Sequence, residues 1–338
     1  MINNNYGEFD MGLTIREIAA RAGVSAATVS RVVNGTGAVA PEKREQVLAV
    51  LGEQQAAPRR RRSAGKTLGV LMLPGSESDP RVIVNKLSAI TEKLPRKWSL
   101  QLLSSEILPL ELEARHLRGE LAGLIIAGHG GCAPELGRVF ARIPHVWLNS
   151  HRLADEGQTV LMGNEFAGRL AARYLIERGC RRPAVLDVAS VNPGFPARVD
   201  GFRFEFFAQE RECGRIAVTL PGGTAGFETA PAEVLEAALN GADYSGCDGL
   251  FSPEERLTAL FYRVLTRRGG GVTIPVVSCN HTPEYLAGLY PRPASIDLGN
   301  RMLAELALDE LLRRISGAPG RADHVAVIAT PQLVPGER

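Results

Sequence analysis

The run Ser25-Ala26-Ala27-Thr28-Val29-Ser30-Arg31 holds the residue types a helix needs to read the edges of DNA bases. With Val29, Val32 and Val33 turned to a core, Ala26, Ala27, Ser30 and Arg31 are left facing solvent or a major groove. Small side chains at Ala26 and Ala27 permit close approach, and Arg31 offers a planar fork of donors to guanine or to a phosphate. Further on, Arg59, Arg60, Arg61 and Arg62 are consecutive, and each phosphate such residues neutralise would release counterions. A plainly solvated basic linker competes with that reading. Catalytic chemistry finds little support. The chain has no GxSxG elbow, P-loop or HExxH, and its glycine clusters lack the dinucleotide-binding spacing. The six histidines and five cysteines form no ligand pattern. No catalytic residue, metal or cofactor is therefore expected.

The elements that would position Arg31 are legible around it. Thr14 and Glu17 make a capping box, with Ile15, Ile18, Ala19 and Ala22 as the apolar stripe of a short helix. Gly23 stops it, Val24 supplies a buried plug, and Ser25 caps a second helix. Asn34-Gly35-Thr36-Gly37 reads as a loop. Pro41 opens a third helix, with Val47, Leu48 and Leu51 on its inner face. Two short helices around a glycine turn, followed by a third, predict an all-α helix-turn-helix headpiece over residues 13–51, preceded by a disordered arm over 1–12. Residues 52–66, GEQQAAPRRRRSAGK, have no apolar periodicity and mark an Arg-rich linker.

Whole-chain charge is +2 over 338 residues, but its distribution is uneven. Residues 1–66 hold ten Lys/Arg against six Asp/Glu, and the remainder 29 against 31. A basic module joined to a slightly acidic body is the asymmetry expected of a nucleic-acid-binding protein. Isolated cysteines, no apolar run long enough to span a bilayer and no signal peptide predict a soluble cytoplasmic protein. From Thr67 onward, strand-like runs alternate with helical stretches. The strands are Leu68–Leu73, Leu100–Leu103, Gly123–Ala127, His145–Leu148, Ala184–Val188, Gly249–Phe251 and Ile274–Ser278. Helices are read near 82–94, 109–119, 134–142, 165–178, 198–211, 231–240, 255–267 and 299–316. Continuous Val/Ile/Leu runs predict parallel sheets covered on both faces. The length of 67–338 predicts two lobes, with a ligand site at the carboxyl ends of their strands.

The run TIREIAARAGVSAATVSRVVNG, Thr14 to Gly35, resembles the headpiece of lac-repressor-type (LacI/GalR) transcription regulators. The resemblance continues more loosely through GNEFAGRLAARYLIERGCRRPAVL, Arg198-Val199-Asp200-Gly201-Phe202 and CDGLF. It implies an α/β body like a periplasmic binding protein, with two doubly wound parallel-sheet lobes over 67–338. It implies that Ala26 and Ala27 read the operator, and that Thr28, Ser30, Arg31 and Asn34 touch phosphates and bases. Arg198 matches the family arginine that grips an effector, and Phe251 a ring that stacks on it, although core packing competes for Phe251 and a salt bridge to Asp200 for Arg198. Asn149 and Asn280 stand where sugar-binding relatives have aspartates, and Arg81 where they have a stacking aromatic. Those three changes make the site more positive, as an anionic sugar derivative would require; a neutral sugar and a degenerate site stay open. The linker lacks the family's minor-groove leucine, its seventh position after Pro58 being Gly65. The implied function is a repressor, a homodimer on a pseudo-palindromic double-stranded operator, controlled by a small-molecule effector. A solute sensor with a vestigial headpiece and an enzyme using the cleft are the rivals.

Overall fold

Three short helices follow from the capping signals just given. The structure, a computed structural model, describes residues 15–34, 39–54, 66–73, 80–104, 106–128, 134–149, 159–317 and 326–337. Helix α1 (Ile15–Ala22) ends at Gly23, whose φ of 63° is open to glycine at little steric penalty. The Val24 N–H then returns to the Ala19 carbonyl at 3.1 Å. Helix α2 (Ala26–Asn34) is capped as expected: Ser25 Oγ accepts the Thr28 N–H at 3.1 Å. Helix α3 (Pro41–Gln54) starts on its proline. Ile18, Val29 and Val47 are fully buried between the three, with Ala19, Ala22, Val32 and Val50, and Val24 packs against them. The expectations for residues 1–12, for Thr14, for Arg59 to Arg62 and for the side chains of Asn34, Leu48 and Leu51 lie outside the described residues.

The body alternates strand and helix. In chain order come β1 (Thr67–Met72), α4 (Pro80–Lys93), β2 (Ser99–Leu103), α5 (Pro109–Leu117), β3 (Gly123–Ala127), α6 (Pro134–Phe140) and β4 (His145–Leu148). Then follow β5 (Thr159–Met162), α7 (Asn164–Glu177), β6 (Pro183–Val188), α8 (Gly194–Ala208), β7 (Gly214–Val218), α9 (Ala232–Gly241) and β8 (Gly249–Phe251). The last are α10 (Glu255–Arg267), β9 (Val276–Cys279), α11 (Pro283–Leu286), β10 (Ala294–Asp297), α12 (Asn300–Ile315), β11 (Ala326–Ala329) and β12 (Gln332–Val334). All seven strands read from the sequence are present within two residues of their expected ends; β5, β7, β10, β11 and β12 are additional. Helix α8 opens at Gly194 rather than 198, which puts Arg198 in its second turn.

The chain divides into two compact units, Met1–Leu71 with Pro95–Leu124 and Cys132–His145, and Met72–Leu94 with Ile125–Gly131 and Val146–Arg338. In the first, β1 pairs parallel with β2, the Ala122 N–H bonds the Thr67 carbonyl, and the Leu124 N–H bonds the Pro144 carbonyl. The second holds the parallel pairs β4–β5 and β5–β11 and a complete sheet in the order β12-β10-β9-β8-β6-β7. In that sheet only β12 runs antiparallel. The order steps outward in both directions from β6 and β8, the doubly wound arrangement in which ligands sit at the carboxyl ends of the strands. Burial of β8 on both faces is why it reads as an unbroken apolar run.

Candidate nucleic-acid interface and ligand-binding residues

On α2 the buried and open faces divide as the reading of DNA requires. Val29 and Val32 are buried, whereas Ser25, Ala26, Ala27 and Arg31 are exposed and Thr28 and Ser30 half-buried. The Ser25 hydroxyl already serves the helix N-terminus and also lies 2.9 Å from Thr28 Oγ1. Ser25 is thus first a cap. Arg31 stands one turn beyond Ala27 on the open face, from which its fork reaches outward.

Of the ligand-binding candidates, Arg198 and Asn280 follow the carboxyl ends of strands in the second sheet, whereas Asn149 follows β4 and Arg81 lies on α4. The loop before α8 is set by Glu228, which accepts the Val191 N–H at 3.2 Å, the Asn192 N–H at 3.3 Å and the Ser190 hydroxyl. Asn192 Oδ1 in turn accepts the Gly194 N–H at 2.8 Å. Arg198, one turn into α8, is 5% exposed. Its Nε donates to Asn164 Oδ1 at 2.9 Å and its Nη1 to the Pro253 carbonyl at 2.7 Å. Asp200, the alternative partner, is exposed and is not the residue Arg198 bonds.

Asn280 follows β9 at a φ of 115°, and its Nδ2 donates to Glu254 Oε1 at 3.4 Å. Glu254 caps α10, taking the Arg256 and Leu257 N–H groups at 2.9 and 3.3 Å. An acid in that place also complements the positive end of the helix. Asn149 ends β4 with a φ of 61°, is 2% exposed, and accepts the Met162 N–H at 3.3 Å, tying β4 to β5. Arg81 is exposed at the start of α4, its guanidinium 4.4 Å from the Tyr285 ring centre. Such stacking suits a cation that also serves a ligand. Phe251 requires correction. It is fully buried and stacks on Phe202 at 5.2 Å between centroids, so it is a core ring and not a platform for a ligand.

The sequence reading missed Asn164, Glu254, Glu255 and Tyr285. Glu254 had a signal: an acid one residue before the helix expected at 255–267 is a capping position. Glu255 is fully buried and accepts Ser295 Oγ at 2.5 Å, Ser278 Oγ at 3.4 Å and the Thr282 N–H. Burial above all, with the neighbouring Glu254 charge, pushes its carboxyl up to about 7, against the pull of those hydrogen bonds. A carboxyl raised in the folded state keeps a proton that the unfolded chain loses near the ordinary value of 4.5. Stability is therefore expected to fall as pH rises from about 4.5 to about 7, by at most about 3 kcal/mol, and to stay down above that. Glu255→Gln should flatten the fall in thermal unfolding scans. A variant and wild type that keep the same stability difference from pH 4.5 to 8 would contradict this.

Neither of the two buried cysteines among the described residues is activated as a nucleophile. The thiol of Cys279 is buried and pushed up to about 11, chiefly by desolvation, as is that of Cys180. Among the described residues no cluster of His, Cys, Asp and Glu could hold a metal ion. What the site offers is a set of donors and acceptors.

Comparison with known proteins points the same way. Residues 14–56 match the family described as bacterial regulatory proteins, lacI family. The chain is 28% identical over 198 residues to the maltose regulon regulatory protein MalI of Escherichia coli, covering 56% of this chain and 58% of MalI. It is 27% identical over 215 residues to the HTH-type transcriptional repressor PurR of Serratia proteamaculans, 61% of each chain. It thus spans less than two thirds of the length of either relative. In fold it resembles the lac repressor dimer bound to operator and the anti-inducer ONPF, with a TM-score of 0.59 and 20% identity over 96% of this chain and 98% of that one.

Proposed function

We propose that this chain is a member of the lacI family of bacterial regulatory proteins, whose model matches residues 14–56, and that it is a DNA-binding transcriptional repressor whose operator affinity a small metabolite controls. The observation that carries the reading is the division of α2, an open face of Ser25, Ala26, Ala27 and Arg31 on a closed apolar back. Two copies as a homodimer would present two such helices to a pseudo-palindromic double-stranded operator. Residues 13–51 would form the DNA-binding domain and 67–338 the effector-binding and dimerisation body. Thr14, just before α1, and Asn34, the last residue of α2, would also contact the DNA, and Arg59 to Arg62 in the 52–66 linker would lie on phosphates or in a narrow A·T-rich minor groove. No helix among the described residues is long and apolar enough to cross a membrane, and an operator-binding protein would act in the cytoplasm.

The test is Arg31→Ala in the full chain. It should weaken specific binding by about 1–3 kcal/mol at fixed salt while leaving the unfolding transition in place. Unchanged affinity for the selected duplex would remove Arg31 from the interface.

For the effector, the donors of Arg198, Asn280 and Arg81 point to a ligand rich in hydroxyl or acid oxygens. Glu254 bears on the choice between the two. A buried carboxylate beside Asn280 offsets the positive charge that the asparagines and Arg81 would confer. A neutral polyol, with hydroxyls that both donate and accept, suits that pairing better than a sugar acid or phosphate. Binding would bias operator affinity by a coupling of about 1–3 kcal/mol.

A further inference from the structure

Helix α5 carries two side chains that do not serve its own unit's sheet. Leu110 and Glu113 are three residues apart and therefore share a face. Leu110 is 7% exposed and belongs to the same buried cluster as Ile18, Val29, Val32 and Val47 of the three N-terminal helices. Glu113 is 5% exposed. Its Oε2 accepts from Arg44 Nη2 of α3 at 3.0 Å, and its Oε1 from Arg142 Nη1, just after α6, at 2.6 Å.

We propose that α5 is the seat on which the headpiece is clamped, with Glu113 as the positioning residue that orients the reading helix for DNA. A carboxylate this buried must be paired, and one of its two cations comes from the headpiece, so undocking would strip it of half its compensation. The apolar plug at Leu110 gives the same face its affinity, and the ion pair gives it a defined orientation. The clamp leaves the reading face open: Ser25, Ala26, Ala27 and Arg31 stay exposed while Arg44 is engaged. It meets the headpiece through its apolar cluster and leaves those four residues open to a groove. Arg44 Nε is buried without a partner among the described residues, so the docking stays short of a fully satisfied core contact. The linker sequence has no apolar periodicity with which to fix the orientation instead.

This inference rests on reading α2 as the operator-binding helix, and its test has an arm that does not. In the free full-length protein, Arg44→Met and Glu113→Gln should each speed amide hydrogen exchange across residues 15–34 and 39–54 by about tenfold or more. On duplexes selected from a random pool by the wild-type chain, both should weaken binding within the range of about 5- to 150-fold typical of coupled sites. They should also blunt discrimination against duplexes whose half-sites are moved apart by one base pair, which general destabilisation would not do. Arg44 is half-buried where Glu113 is 5% exposed, so Arg44→Met decides the matter if Glu113→Gln unfolds the body. Unchanged exchange overturns the clamp whatever the DNA result. Tighter binding by the variants overturns it too, since the seat would then restrain the headpiece. A wild type that selects no duplex sinks the operator reading, and the exchange arm still decides the clamp.

Discussion

Gly201→Ala should be among the most destabilising single substitutions in the body. A Cβ at Gly201 would lie 2.1 Å from the Glu165 carbonyl oxygen, and one at Gly168 would lie 2.0 Å from the Arg198 carbonyl oxygen. Both obstacles are backbone, so no side chain can turn aside. Helices α7 and α8 must separate instead, and overpacking of this kind reduces stability by about 1–3 kcal/mol, occasionally more. The damage reaches the site because Arg198 and its partner Asn164 lie on the two helices being forced apart. Chemical denaturation should show a loss at the top of that range for Gly201→Ala and Gly168→Ala alike. Gly222→Ala, where nothing stands within 4 Å, serves as the comparison and should change little. A Gly201→Ala protein as stable as Gly222→Ala would contradict the close crossing.

Arg198→Met should abolish the response to ligand while the free protein still binds its duplex. The guanidinium is held in place by two protein acceptors, Asn164 Oδ1 and the Pro253 carbonyl. Hydrogen bonds to a charged group contribute about 1.5–3 kcal/mol each, and a ligand oxygen on the same fork would add another. Methionine fills the space of the apolar stem, lacks the guanidinium and removes all of it. Thermal shift against a panel of neutral polyols, sugar acids and sugar phosphates is the measurement. Wild type should be stabilised by one class, and by RT ln(1 + [L]/Kd) for that ligand, with the variant unmoved. Equal stabilisation of both proteins would place the ligand elsewhere.

The headpiece was legible because its signals are local. Ser25 caps within three residues, Gly23 terminates with a positive φ, and the Ile18, Ala19, Ala22 spacing is a helical stripe. Buried parallel strands such as Gly123–Ala127 and Gly249–Phe251 announce themselves by unbroken apolar runs. The missed strands lack that pattern. β7 is an edge strand with alternating exposure, and β11 and β12 are short and mostly open to solvent. The site was legible only where one residue could be matched alone. Arg198 could be singled out, but its partners could not, because Asn164 and Pro253 are 34 and 55 residues away along the chain. Phe251 misled because a ring at a strand end packs a core as readily as it stacks on a ligand. The expectation of a positive site did not count Glu254, which accepts from Asn280 although the two are 26 residues apart along the chain.

An intact chain should read one DNA sequence, and a metabolite should alter that reading. Duplexes selected from a random pool, then titrated against scrambled duplexes at physiological salt, test both most directly. A two-fold symmetric sequence should be bound at least about a thousandfold more tightly than its scrambled form, with that ratio moved by the ligand found in the thermal-shift panel. Equal affinity for the selected and scrambled duplexes would contradict it.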